Sequence, residues 1–209
     1  MPVTEHPMQA LANYLPDNSF EPVVQYIHHY KVHLTVTKKR KSVLGDYRHA
    51  GINGTHRISI NGSLNKYEFL ITLLHELAHL LTFEQFKNKV EPHGKEWKNW
   101  YSKLLVDFVN RKIFTPEIEM ALQKSIINPS ATANGETDLL RVLRNYDEVK
   151  KEGYQTIENL AINALFTSGN GKIFRKGNQR RKRFECLEIK TGLTYLFSPV
   201  AEVKIINGS

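Results

Sequence analysis

His75-Glu76-Leu77-Ala78-His79 puts two imidazoles and a carboxylate into five consecutive residues. On a helix the two histidines stand at i and i+4 on one face. Both can then reach a single Zn²⁺, with Glu76 beside them to take a proton from a water on the ion. The flanks predict that helix. From Tyr67 to Phe86 there is no Gly or Pro, and Phe69, Leu70, Ile71, Leu73, Leu74, Leu77, Leu80, Leu81 and Phe83 surround the pair. A helix apolar on most sides is normally buried. The exceptions, Thr72, His75, Glu76, His79 and Thr82, fall on one polar stripe. Unpaired polar groups inside a protein are costly, so the stripe needs partners, and a metal cleft supplies them. A solvated surface helix would tolerate the same motif by chance, but not these apolar neighbours.

Two histidines leave a catalytic zinc site short of its usual third protein ligand. Gln85 stands at the sixth residue after His79, where the long metzincin motif needs His, so that class is excluded. Two residues compete for the third position. His93 sits in the Pro/Gly-flanked turn Glu91-Pro92-His93-Gly94, just before a second helical pattern of Trp97, Trp100, Tyr101, Leu104, Leu105 and Phe108. Glu96 on that helix would instead give a His₂Glu site. The turn-borne histidine is favoured and Glu96 stays open. Glu84 and Glu91 read as solvated charges, and His28, His29, His33, His49 and His56 as strand or surface histidines.

His-Glu-Leu-Ala-His, followed after a short insert by His93-Gly94-Lys95-Glu96-Trp97, resembles the SprT-like zinc metalloprotease domain shared with the Spartan proteases. The resemblance covers about residues 20–110. It implies His75, His79 and His93 as zinc ligands and Glu76 as the catalytic base. It also implies a zincin-like fold, in which a substrate pairs with the edge strand along the cleft.

The elements before the motif fit that frame. A helix is predicted over 22–30, opened by Pro22. Val32, Leu34 and Val36 alternate with polar residues as a strand does. Gly45-Asp46 predicts a turn, Tyr47-Arg48 a return strand, and Arg57 to Asn61 a further strand. The expected fold class is α+β. A small antiparallel sheet packs on the motif helix and its neighbours, and the strand from Ile58 to Asn61 lies on the substrate side. Tyr101, Tyr47 and Arg48 are the available groups for stabilising an oxyanion.

At 209 residues the chain is long enough for one good core and a smaller module. No secretion signal opens it, no apolar run reaches membrane-spanning length, and one cysteine, Cys186, precludes an internal disulfide. These features predict a cytoplasmic protein without a membrane partner. The expected domains are a zincin-like unit over 1–126, a linker over 127–137, and a C-terminal module over 138–209. Thr115-Pro116 predicts a helix to about Ile126, and Thr137 to Lys151 another.

The C-terminal module reads as a helix followed by short strands through Phe184, Cys186 and Leu187, then Leu193, Tyr195 and Phe197, then Val200, Val203 and Ile205. Gly169-Asn170-Gly171 and Thr191-Gly192 supply its turns. Eight basic residues against Glu185 and Glu188 leave +6 of the formal +8 between Gly171 and Lys190. Arg175, Lys176, Arg180, Arg181, Lys182 and Arg183 are therefore candidates for nucleic-acid binding, with Phe174 and Phe184 placed to stack on bases. Proteins of the resembled family often carry a zinc ribbon here. Cys186 lacks a Cys-x-x-Cys partner because Ile189 stands in that place, so the module resembles a ribbon without its metal.

The expected function is a peptidase with one catalytic Zn²⁺ acting on a protein or peptide substrate, with DNA as a further partner. Two alternatives stand beside it: a nucleic-acid-binding protein with a structural or vestigial zinc site, and a zinc hydrolase of non-peptide substrates.

Overall fold

The computed structural model describes residues 8–38, 40, 43–50, 54–130, 136–148 and 152–206. The chain divides into two compact units, 1–147 and 148–209.

In the first unit a 3-10 turn, Gln9–Tyr14, precedes α1 (Phe20–His29) and the strands β1 (Val32–Thr37), β2 (Gly45–Arg48) and β3 (His56–Asn61). The helices α2 (Lys66–Phe86), α3 (Lys95–Asn110), α4 (Pro116–Ile127) and α5 (Thr137–Leu143) follow. Asn65 caps α2 by accepting from the Glu68 N–H at 2.9 Å, and its amide donates to Leu143 O and Asp147 Oδ1. One asparagine thus satisfies a helix-start donor and ties that start to the far end of α5. Burial of Phe69, Leu70, Leu73, Leu74, Leu77, Ala78 and Leu80 makes α2 the centre of the core, and Trp97, Leu104, Leu105 and Phe108 bring α3 against it. Among the described residues no helix is long and apolar enough to cross a membrane.

The sheet corrects three expectations. Its order is β1-β3-β2, with β1 parallel to β3 and only β2 antiparallel, so it is mixed rather than antiparallel. Alternating apolar residues do not encode strand direction, because the same pleat serves either. β3, expected on the substrate side, is the central strand and is paired on both edges. The outer strands are β1 and β2. Gly45-Asp46, expected as a turn, opens β2, and the missing Cβ there serves close packing. A Cβ on Gly45 would lie 2.6 Å from Glu76 Oε1 and 2.8 Å from Thr72 Cγ2.

The domain boundary also moves. Leu139 and Leu143 are buried in the first core, so α5 belongs to the first unit rather than to the C-terminal module. The helix expected from Thr137 to Lys151 stops at Leu143 and ends in a 3-10 turn, Arg144–Tyr146. Positions 149–151, and 131–135 of the expected linker, lie outside the described residues.

The second unit is a six-stranded sheet in the order β4-β9-β5-β6-β7-β8. Its strands are β4 (Tyr154–Thr156), β5 (Leu165–Thr167), β6 (Ile173–Arg180), β7 (Arg183–Glu188), β8 (Thr194–Phe197) and β9 (Glu202–Ile205). Gly171 and Gly192 hold left-handed turns, with φ of +78° and +70°. Ile157, Leu160, Phe166, Phe174, Cys186 and Val203 form its core.

Candidate metal centre

A buried helix with one polar stripe has to be covered by groups that suit each polar atom. His75 and His79 are separated by one turn of α2, and their rings are 5.1 Å apart. The third imidazole comes from the turn before α3. The Gly94 N–H donates to Glu91 O at 3.0 Å, closing a four-residue turn with Pro92 second and His93 third, and His93 has φ of +59°. Proline followed by a positive φ is the signature of a type II turn, which strains a residue with a Cβ. Gly94 completes the device. As the residue before α3 it approaches Glu91 O so closely that a Cβ would sit at 3.0 Å.

The strain places His93 Nε2 3.0 Å from His79 Nε2 and 3.2 Å from His75 Nε2. Among the described residues these three side chains form the one group able to hold a metal ion, and Glu96 is not part of it. Burial, then the neighbouring imidazoles, pushes His75 down to about 3, while burial and then His93 pushes His79 down to about 4. Burial lowers His93 as well. All three rings are therefore neutral near pH 7. Three converging Nε2 atoms on neutral rings are a donor set that a small cation satisfies and that hydrogen bonding among themselves cannot, so the residues fit a metal.

Trp97 is the floor of this cluster. It is fully buried, with ring centroids 4.7, 5.3 and 4.6 Å from those of His75, His79 and His93. One turn later Tyr101 stacks on Trp97 at 5.1 Å and also meets His75. The indole walls off water on one side, and its bulk limits how far the imidazoles can rotate.

Glu76 points to the other wall. It is 6% exposed and lies under Gly45 of β2. Burial first, and then the charge of Asp46, raises its carboxyl to about 8. A cation beside it would favour the ionised form.

The oxyanion candidates separate clearly. Tyr101 is buried against Trp97, and burial raises its hydroxyl well above the usual range. The Arg48 side chain is exposed and pairs with Asp46 at 3.0 Å. The Tyr47 hydroxyl lies 2.9 Å from His56 Nδ1. His56, expected as a strand or surface histidine, is a strand residue and only 5% exposed, and Glu84, expected as a solvated charge, is partly exposed but holds its Nε2 at 3.2 Å. No sequence pattern links residues that meet only when β2, β3 and α2 pack together.

The basic hairpin splits as well. Arg175 points outward from β6, and Arg180, Arg181, Lys182 and Arg183 are exposed at the β6–β7 tip, Arg180 pairing with Glu185 at 3.3 Å. Lys176 is a correction. It is buried, its ammonium donates to the carbonyls of Leu160 and Glu158, and it lies 4.4 Å from the Phe184 ring centroid. Phe174 is buried too and cannot stack on a base. Both follow from strand alternation: Phe174 and Lys176 share the inward face of β6 and Arg175 the outward one.

The SprT-like family's sequence profile matches residues 10–117, which take in the sheet, α2 and the His93 turn. A stretch of 31 residues is 58% identical to Protein SprT of Glaesserella parasuis serovar 5 (strain SH0165), covering 15% of this chain and 19% of that protein. The matched stretch therefore spans about a fifth of that relative's length. No solved structure matches.

Two outcomes are expected. Zinc affinity measured by chelator competition falls at least about tenfold in His93→Ala and stays near that of the parent in Glu96→Ala. In the metal-free protein, Glu76 contributes stability that is present below about pH 4.5 and lost as pH rises through about 8, because its folded value is raised. Glu76→Gln cannot ionise. Thermal unfolding should show the parent losing ground to this variant across that window, by on the order of a few kcal/mol.

Proposed function

Because this chain belongs to the SprT-like family, we propose that it is a zinc-dependent metallopeptidase, with His75, His79 and His93 holding the ion. The observation that carries this reading is the convergence of three neutral imidazole nitrogens beside a shielded carboxyl. Zinc held by these three histidines would supply a Lewis acid that acidifies water and polarises a carbonyl.

The chain's own groups do the rest. Glu76, once ionised, accepts the proton of the attacking water and later delivers it to the leaving amine. Burial under Gly45 shields that carboxyl from solvent and raises its proton affinity, while a bound cation would favour the ionised form that accepts the proton. His93, held by its turn, and Trp97, packed under all three rings, keep the imidazoles in place without movement during turnover. β2, whose Tyr47 ring lies 6.3 Å from that of His79, has β3 as its one strand partner among the described residues, and its other edge offers backbone donors and acceptors to an extended peptide. An amide substrate is thus favoured over a small ester, which would not use that edge.

Proteins associated with DNA are the substrate class that the second unit supports. Arg175, Arg180, Arg181, Lys182 and Arg183 give it an exposed, concentrated positive field that attracts polyanions. Lys176 is excluded from that surface because it is buried.

Glu76→Gln is expected to bind zinc as the parent does and to lose peptide cleavage by at least about a hundredfold, since general acid–base catalysis contributes that much. A fully active Glu76→Gln protein contradicts the mechanism. Replacing Arg180, Arg181, Lys182 and Arg183 with Gln should weaken DNA binding and flatten its salt dependence, read by fluorescence anisotropy at several salt concentrations. Unchanged binding rejects the tip.

A further inference from the structure

The outer strand β2 is laid along the metal helix residue by residue. Alternate residues along it and just past its end meet α2 in order: Gly45 against Thr72 and Glu76, Tyr47 with its ring parallel to that of His79 at 6.3 Å, and His49, the residue after β2, stacked on Phe83 at 4.5 Å. Among the described residues β2 pairs with β3 alone, which leaves its other edge without a strand partner. A short edge strand of four residues has little pairing of its own to keep it in place.

His56, the first residue of β3, supplies what pairing lacks. Its Nδ1 lies 3.3 Å from the Ala50 N–H and 2.9 Å from the Tyr47 hydroxyl, while its Nε2 lies 3.2 Å from Glu84 Oε1. A backbone N–H only donates, so Nδ1 is an acceptor and Nε2 carries the hydrogen, which a carboxylate then accepts. That tautomer directs the Tyr47 O–H onto Nδ1. Donation therefore runs in one direction, from the Tyr47 hydroxyl on the edge strand, through His56 of β3, to Glu84 in the last turn of α2. It also occupies the Tyr47 proton, which takes Tyr47 out of the role of oxyanion donor.

We propose that Glu84, His56 and Tyr47 form a strut that fixes the height of β2 along the metal helix. Tyr47 and His56 act as positioning residues for an extended substrate bound on the free edge. The inference rests on the peptidase reading for its substrate, but not for the strut itself. The strut explains why a buried histidine stands at the start of β3 without being a ligand, and why a carboxylate about 1.4 turns beyond His79 is turned toward the sheet.

The test uses the full-length zinc-loaded chain. Tyr47→Phe keeps the ring over His79 and removes the hydrogen bond. Glu84→Ala breaks the strut from its solvent end, and Glu84→Gln keeps an acceptor oxygen. In Tyr47→Phe and Glu84→Ala, KM for an extended peptide is expected to rise about tenfold, the size of one lost hydrogen bond, with kcat and zinc content unchanged. Glu84→Gln should restore the parent KM. Backbone amide exchange within β2 should quicken about tenfold in the same two variants, whether or not any substrate is cleaved. Unchanged KM and unchanged exchange overturn the strut, and a loss of kcat at constant KM would move Tyr47 into the chemistry instead. A parent that cleaves no peptide would defeat the peptidase reading, while amide exchange would still decide the strut.

Discussion

The rest of the first unit is arranged around one constraint: the motif helix must be buried on nearly every side while carrying His75, Glu76 and His79. Leu73, Leu74, Leu77 and Leu80 draw α2 into the core and leave its polar stripe facing neighbours rather than water. Each polar group then needs its own cover. Trp97 and the strained His93 turn meet the two imidazoles, and the bare backbone of Gly45 meets the carboxyl. Bulk is placed where a ring must be held and is absent where a carboxyl must fit, and the two walls differ for that reason.

The sequence revealed most of this where the signal was local. The apolar, Gly- and Pro-free stretch around His75 and His79 predicts a helix there, and α2 spans Lys66–Phe86. The Pro92-His93-Gly94 turn before α3 marked the third histidine through ordinary turn chemistry. The misses come from pairing between distant segments. Nothing in the alternation of Val32 to Thr37 says whether it pairs parallel or antiparallel with His56 to Asn61. Nor does it say that β3 lies between β1 and β2. His56 and Glu84 belong to different elements 28 positions apart, and only packing makes them partners. The signal that was available, glycine at 45, was open to two readings, a turn or a close approach.

The second unit repeats the lesson on a smaller scale. Turns at Gly171 and Gly192 and the alternation of Phe184 with Cys186 were legible, because period-two patterns survive in short strands. Counting charges along the chain was not enough to find the surface. Lys176 counts toward the basic cluster by composition, yet the pleat turns it inward. Backbone carbonyls and the Phe184 ring accept its ammonium there, opposite Cys186 in the β6–β7 register. Burial raises the Cys186 thiol, so that side chain packs as a small apolar group. The exposed field is carried by Arg175 and the four residues at the hairpin tip.

X-ray absorption spectroscopy on the zinc-loaded chain reads the ligand set without reference to any substrate. A site built by His75, His79 and His93 should give three imidazole nitrogens at about 2.0–2.1 Å and one further light-atom ligand that exchanges with solvent. A shell with only two imidazoles and a protein carboxylate, or a closed site of four protein ligands, would contradict it.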